Sequence, residues 1–114
     1  MKVLLDENLD HALRMLLGSH EVFTVTYMGW TGLKNGELLR EAEENGIEVL
    51  LTGDQSIGYQ QNLAGRRIAI VAVSAIQLPV LMKYLPQIVL AIENAAAGSF
   101  QLVECSGGDR KQSS

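Results

Sequence analysis

Lys2 to Leu5 is a short run, apolar after its first residue, that ends at Asp6, which is the pattern of a buried strand. Leu9, Ala12, Leu13, Leu16 and Leu17 then recur at helical spacing, with Asn8 or Asp10 as the cap and Gly18 as the stop. Glu21 to Thr26 is rich in β-branched residues and predicts a second strand, and Gly29, Trp30, Thr31 and Gly32 predict an irregular loop. Glu37 to Asn45 predicts the next helix, with Leu38, Leu39 and Ala42 as its inner stripe and Gly46 at its end. Ile47 to Thr52 is a third apolar strand, followed by Gly53 and Asp54. Ser56 to Leu63 predicts a short helix and Ile68 to Val73 a fourth strand. Pro79 falls near the start of another helix, which Pro86 breaks or restarts, and Leu85, Val89, Ile92 and Ala96 carry the helical spacing on to Gly98. Phe100 to Glu104 predicts a last edge strand. From Ser106 the chain is small and polar, so a disordered tail over 106–114 is expected behind one domain over 1–105.

Strands that alternate with helices, each strand a continuous apolar run, imply a three-layer α/β/α fold with a mostly parallel central sheet. In such sheets ligands bind outside the carboxyl ends of the strands, where the strand order reverses.

Composition narrows the chemistry. With 47% hydrophobic and 19% charged residues among 114, the chain holds enough apolar material for one core. Cys105 is the only cysteine, which excludes an internal disulfide and a cysteine-built zinc site, and two histidines do not suggest a histidine-rich metal site. No stretch reads as a signal peptide and no apolar run approaches the roughly 20 residues of a membrane span, so a cytoplasmic protein is expected. The formal net charge of -4 argues against nucleic-acid binding through the whole surface. An RNA role would need a local basic patch, bridging metal ions or a basic partner.

The candidate chemistry is acidic. Asp6 follows the first strand and Asp54 the third, and in a parallel sheet both strands end on one edge. Glu37 opens the helix that leads into the third strand, so it also belongs to that edge. Clustered carboxylates repel unless a cation compensates, and an all-oxygen set suits Mg²⁺ or Mn²⁺, which can activate water for displacement at phosphorus. A plainer account stands beside this one. Asp6 and Asp54 are also the residue type that caps turns at strand ends, and Glu37 suits the first turn of a helix on dipole grounds. Glu7 is expected at the surface or as a cap.

The opening MKVLLDENL, the segment LKNGELLREAEENGIEVLLTGD and the order of elements resemble the small PIN-like domains related to PIN-domain ribonucleases. The resemblance covers roughly the first two-thirds of the chain, through YQQNLAGRRIAIVAV. It implies a Mg²⁺- or Mn²⁺-dependent endoribonuclease that hydrolyses RNA phosphodiester bonds, often the toxin of a toxin–antitoxin pair with an antitoxin protein as partner. By position it implies Asp6, Glu37 and Asp54 as catalytic and metal-holding acids, with Thr52 as a hydroxyl beside the site. Two departures accompany it. Asn35 stands near a position where the group commonly has Asp, and AVSAIQ after the fourth strand offers only Ser74 where larger PIN nucleases carry another acid. These departures motivate the alternative of a non-catalytic PIN-like module that binds RNA or a protein.

Other residues carry weaker expectations. Lys34, Arg66 and Arg67, with Arg40, are either phosphate contacts or solvated surface, and Gln60, Gln61 and Asn62 are either polar contacts near Asp54 or a solvated helix face. Trp30 either stacks on a base or packs in the core, and His11 is expected to cap or face solvent. The apolar excess from Leu78 to Ile92 either buries a homodimer interface or completes the core. A phosphoacceptor receiver also has acids after strands one and three, but it needs a late lysine that neither Ser74 nor the segment after Phe100 supplies.

Overall fold

The apolar runs all become strands of one sheet. A computed structural model describes residues 1–105, apart from the side chains of Tyr59 and Gln60, and the expected tail over 106–114 lies outside the described residues. Strands β1 (Lys2–Leu5), β2 (Glu21–Thr24), β3 (Val49–Thr52), β4 (Ala69–Val73) and β5 (Phe100–Val103) lie in the order β2-β1-β3-β4-β5. Every pairing is parallel, so the sheet is parallel throughout rather than mostly so. Leu5 stands opposite Thr24 on one side and Leu51 on the other, and Thr52 stands opposite Ala72. The chain moves from β1 to β2 in one direction and then builds β3, β4 and β5 in the other. The order therefore reverses between β1 and β3.

Alternation along each strand divides the core in two. Val3, Leu5, Val49, Leu51, Val71 and Val73 turn to one face, where they meet Leu13, Leu81, Ile88 and Ile92. Leu4, Leu50 and Ile70 turn to the other and meet Val25, Leu38, Leu39, Ala42 and Ile57. With both faces covered, the inner strands read as unbroken apolar runs.

The helices depart from the sequence pattern in ways that side-chain hydrogen bonds explain. The first expected helix is only a 3₁₀ segment, His11–Met15. Asp10 caps it by accepting from the Ala12 N–H at 2.8 Å, and Leu16 N donates to Leu13 O in the tight three-residue pattern. Leu13 is its one buried residue, and Leu9 and Leu17, buried on either side of it, lie outside the segment. β2 stops at Thr24 because that side chain accepts from the Tyr27 N–H at 3.0 Å and turns Val25–Met28 into one helical turn, α1. Helix α2 (Asn35–Glu44) begins two residues earlier than expected and ends where Gly46 adopts φ +80°. Helix α3 is cut to Ile57–Gln60, and beyond it the Asn62 side chain accepts from the Ala64 N–H, an Asx turn. Pro86 restarts the chain as expected, separating α4 (Leu78–Lys83) from α5 (Leu85–Glu93). Helix α5 ends well short of Gly98. The inner faces of α4 and α5 complete the core through Leu81, Ile88 and Ile92, while Met82 and Leu90 stay exposed. Trp30 is half-buried against the α2-side core. Among the described residues no helix is long and apolar enough to cross a membrane.

Candidate functional site

The period of two that divides the core also builds the site. Leu4 and Leu50 face α2, so two residues further on Asp6 and Thr52 emerge on the same face of neighbouring strands. The Asp6 N–H donates to Leu51 O at 3.0 Å and carries the ladder one residue past β1. Thr52 Oγ1 then donates to Asp6 Oδ2 at 2.6 Å and accepts from the Asp54 N–H at 3.0 Å. One hydroxyl thus joins the two acids across the point where the strand order reverses.

Each carboxylate is also held by a near neighbour in sequence. Asp6 Oδ1 accepts from the Glu7 N–H at 2.8 Å. Asp54 Oδ1 accepts from both the Ser56 N–H at 3.0 Å and Ser56 Oγ at 2.6 Å. Asp54 Oδ2 accepts no hydrogen bond among the described residues. Asn8, the alternative cap for the first helix, instead accepts from the Gly53 N–H at 3.0 Å and ties the two strand ends together. Position 53 has little room for a side chain: a Cβ there would lie 2.5 Å from Ile76 Cγ2, on the loop after β4. Asp6 and Asp54 are both partly exposed.

The structure treats the other expected residues differently. Thr52 is 0% exposed and its only proton goes to Asp6, so it positions an acid. Glu37 is exposed in the first turn of α2, whose start lies against Gln61: a Cβ on Gly36 would be 3.4 Å from Gln61 Oε1. Among the described residues no three His, Cys, Asp or Glu side chains gather as one group that could hold a metal ion. Lys34 is exposed at the cap position of α2. Arg66 and Arg67 precede β4 and so stand at the amino edge of the sheet, opposite the two acids. There the Arg66 guanidinium binds Glu43 at 2.8 Å and so has a structural role.

Asn8 and Ser56 were not anticipated. Ser56 was legible in principle, because an Asp followed two residues later by Ser is a turn-forming spacing. Asn8 acts across strands and left no local signal.

The donor set consists of two carboxylates with hard oxygens, without thiolate or imidazole. Mg²⁺ commonly keeps several waters and uses one or two carboxylates together with substrate phosphates. The Asp6–Asp54 pair fits that limited demand, and the unused Asp54 Oδ2 is the oxygen available to it. No protein-family model, curated protein or solved structure matches the chain.

Proposed function

We propose that the chain is a cytoplasmic, Mg²⁺- or Mn²⁺-dependent endoribonuclease of the PIN-like kind, acting where β1 and β3 end. The observation that carries this reading is the joining of Asp6 and Asp54 through the buried Thr52 hydroxyl at the reversal of strand order. Two acids brought to one sheet edge without a basic partner among the described residues would favour a cation between them and a phosphodiester substrate. Asp6 and Asp54 would hold the ion, with Thr52 and Ser56 fixing their carboxylates. When bound, Mg²⁺ or Mn²⁺ supplies charge neutralisation at phosphorus and a more acidic water. In this reading RNA is the substrate, an antitoxin protein restrains the activity, and the exposed Met82 and Leu90 are available to a homodimer.

The test is a Mn²⁺ titration of wild type beside Asp54→Asn by calorimetry, followed by an RNA cleavage assay at saturating metal. Binding and cleavage in the wild type, both lost in the variant, support the nuclease. The loss in cleavage should be at least about 10–100-fold, since even outer partners of metal ligands have effects of that size. The fold should survive, because an amide oxygen can still accept from Ser56.

A second reading is a non-catalytic PIN-like module that binds RNA or a protein. It is favoured by the exposure of Glu37 and by the absence, among the described residues, of a group of three acids that could hold a metal ion. Absence of Mn²⁺ binding in the wild type, with RNA or partner binding intact in Asp54→Asn, would select it.

A further inference from the structure

A groove of about 520 Å³ runs between the 3₁₀ helix and the outer side of β2. Its walls are His11 and Arg14 on one side and Phe23, Thr24 and Tyr27 on the other. The chain has 13 acidic residues against 9 lysines and arginines, yet no acidic side chain lines this groove. Tyr27 is 77% exposed, the most of any large apolar or aromatic residue among the described ones. Its ring is stacked on that of Phe23, with centroids 6.3 Å apart and an interplanar angle of 26°. The core does not require Tyr27 there, and exposing a ring in this way loses hydrophobic burial.

The groove also has a defined relation to the acids. Thr24, at one end, pairs with Leu5, the last residue of β1, and Asp6 follows it directly. Neighbouring strands lie about 4.8 Å apart, so the groove opens one strand away from Asp6, on the same edge of the sheet.

We propose that this groove is a subsite for single-stranded RNA, with a base stacked on Tyr27 and a neighbouring phosphate held by Arg14 and the His11 imidazole N–H. The proposal rests on the ribonuclease reading and supplies what the acid pair lacks, a cationic and aromatic surface that holds the strand beside it. Stacking on an exposed ring is tolerant of base identity, and a guanidinium matches phosphate geometry. The outer edge of β2 pairs with no strand among the described residues, and a protein strand adding there is the competing occupant. The absence of acidic lining and the exposed aromatic pair favour a polyanion with flat bases.

The experiment measures binding of a short, labelled single-stranded RNA to the full chain in a chelator, so that neither metal nor cleavage enters. Wild type should bind at low salt. Tyr27→Ala should weaken binding about tenfold, within the range found for loss of one stacked base, and Tyr27→Phe should restore it. Arg14→Ala should weaken binding and lower the salt slope by about 0.7, the value for one phosphate contact on a single strand. Both residues are exposed, so their variants should fold. No binding by wild type at low salt, or unchanged binding in both Tyr27→Ala and Arg14→Ala, overturns the subsite. The two claims fail separately. Chelator-resistant binding that depends on Tyr27, without cleavage in Mn²⁺, keeps the subsite and removes the nuclease. Cleavage in Mn²⁺ with unchanged KM in Tyr27→Ala does the reverse.

Discussion

At the amino edge of the sheet, Glu43 is surrounded by donors. Oε1 accepts from Arg66 Nη1 at 2.8 Å, and Oε2 accepts from the Arg67 N–H at 2.7 Å and the Ile68 N–H at 3.2 Å. Burial works against its ionisation, but the Ile68 and Arg67 N–H groups and the Arg66 guanidinium outweigh that and hold the carboxyl below its ordinary value. At the carboxyl edge, the Thr52 hydroxyl donates to the Asp6 carboxylate and accepts from the Asp54 backbone N–H, and among the described residues no basic side chain pairs with either acid and Asp54 Oδ2 is unused. Both edges fix the orientation of their carboxylates. Only the amino edge also compensates the charge. A carboxylate whose charge is balanced within the chain acts as a staple between α2 and β4, whereas one oriented but uncompensated remains able to bind something else.

The sharpest way to break this contrast is to remove one acid from each edge and compare stabilities by urea unfolding. Glu43→Ala leaves the Arg67 and Ile68 N–H groups and the Arg66 guanidinium without their acceptor, with the Arg66 and Glu43 side chains only 24% and 13% exposed. The expected loss is about 2–3 kcal/mol, the scale for stranding partly buried donors and one charge. Asp54→Asn should stay within about 1 kcal/mol of wild type, because its amide oxygen keeps the Ser56 contacts. Equal losses at both edges would mean that the Asp6–Asp54 pair is structural as well.

A smaller effect is expected at Thr52. Thr52→Val keeps the shape but removes both the donor to Asp6 and the acceptor for the Asp54 N–H. A loss of about 1–2 kcal/mol is expected for a buried N–H left unpaired. Mn²⁺ affinity should fall with it if the threonine positions the acids, and Thr52→Ser should restore both. Full stability and unaltered Mn²⁺ binding in Thr52→Val would show that the acids hold their places without it.

The two edges also differ in how much of them could be read from the sequence. The parallel sheet and the shared edge of Asp6 and Asp54 follow from continuous apolar runs that alternate with helices, since a parallel sheet places all carboxyl ends together, whereas the reversal of strand order comes from the structure. The joining role of Thr52 was present in the same pattern, because Leu4–Asp6 and Leu50–Thr52 are two-residue steps on paired strands. The Glu43–Arg66 bond was not legible. It joins residues 23 apart through two helix and strand ends whose approach is set by packing, and no local spacing encodes it. Charge alone carries no information about which edge Arg66 and Arg67 occupy. Their position before β4 rather than after it decides that. Element ends were misjudged wherever a side chain overrode the apolar pattern, as when Thr24 capped α1 inside a β-branched run.

The finest distinction between the edges is their response to acid. The folded-state value of Glu43 lies below its ordinary 4.5, so folding favours its ionised form. The stability it contributes is therefore fully present above pH 4.5 and is lost as pH falls through the folded value. The gap in unfolding free energy between wild type and Glu43→Ala should then be largest near neutrality. It should narrow below pH 4.5, without vanishing, since a protonated carboxyl still accepts from the two N–H groups. Urea midpoints of both proteins measured across that range test it. A gap that stays constant into acid would mean that Glu43 holds α2 to β4 through neutral hydrogen bonds alone, and charge compensation would no longer distinguish the amino edge from the carboxyl one.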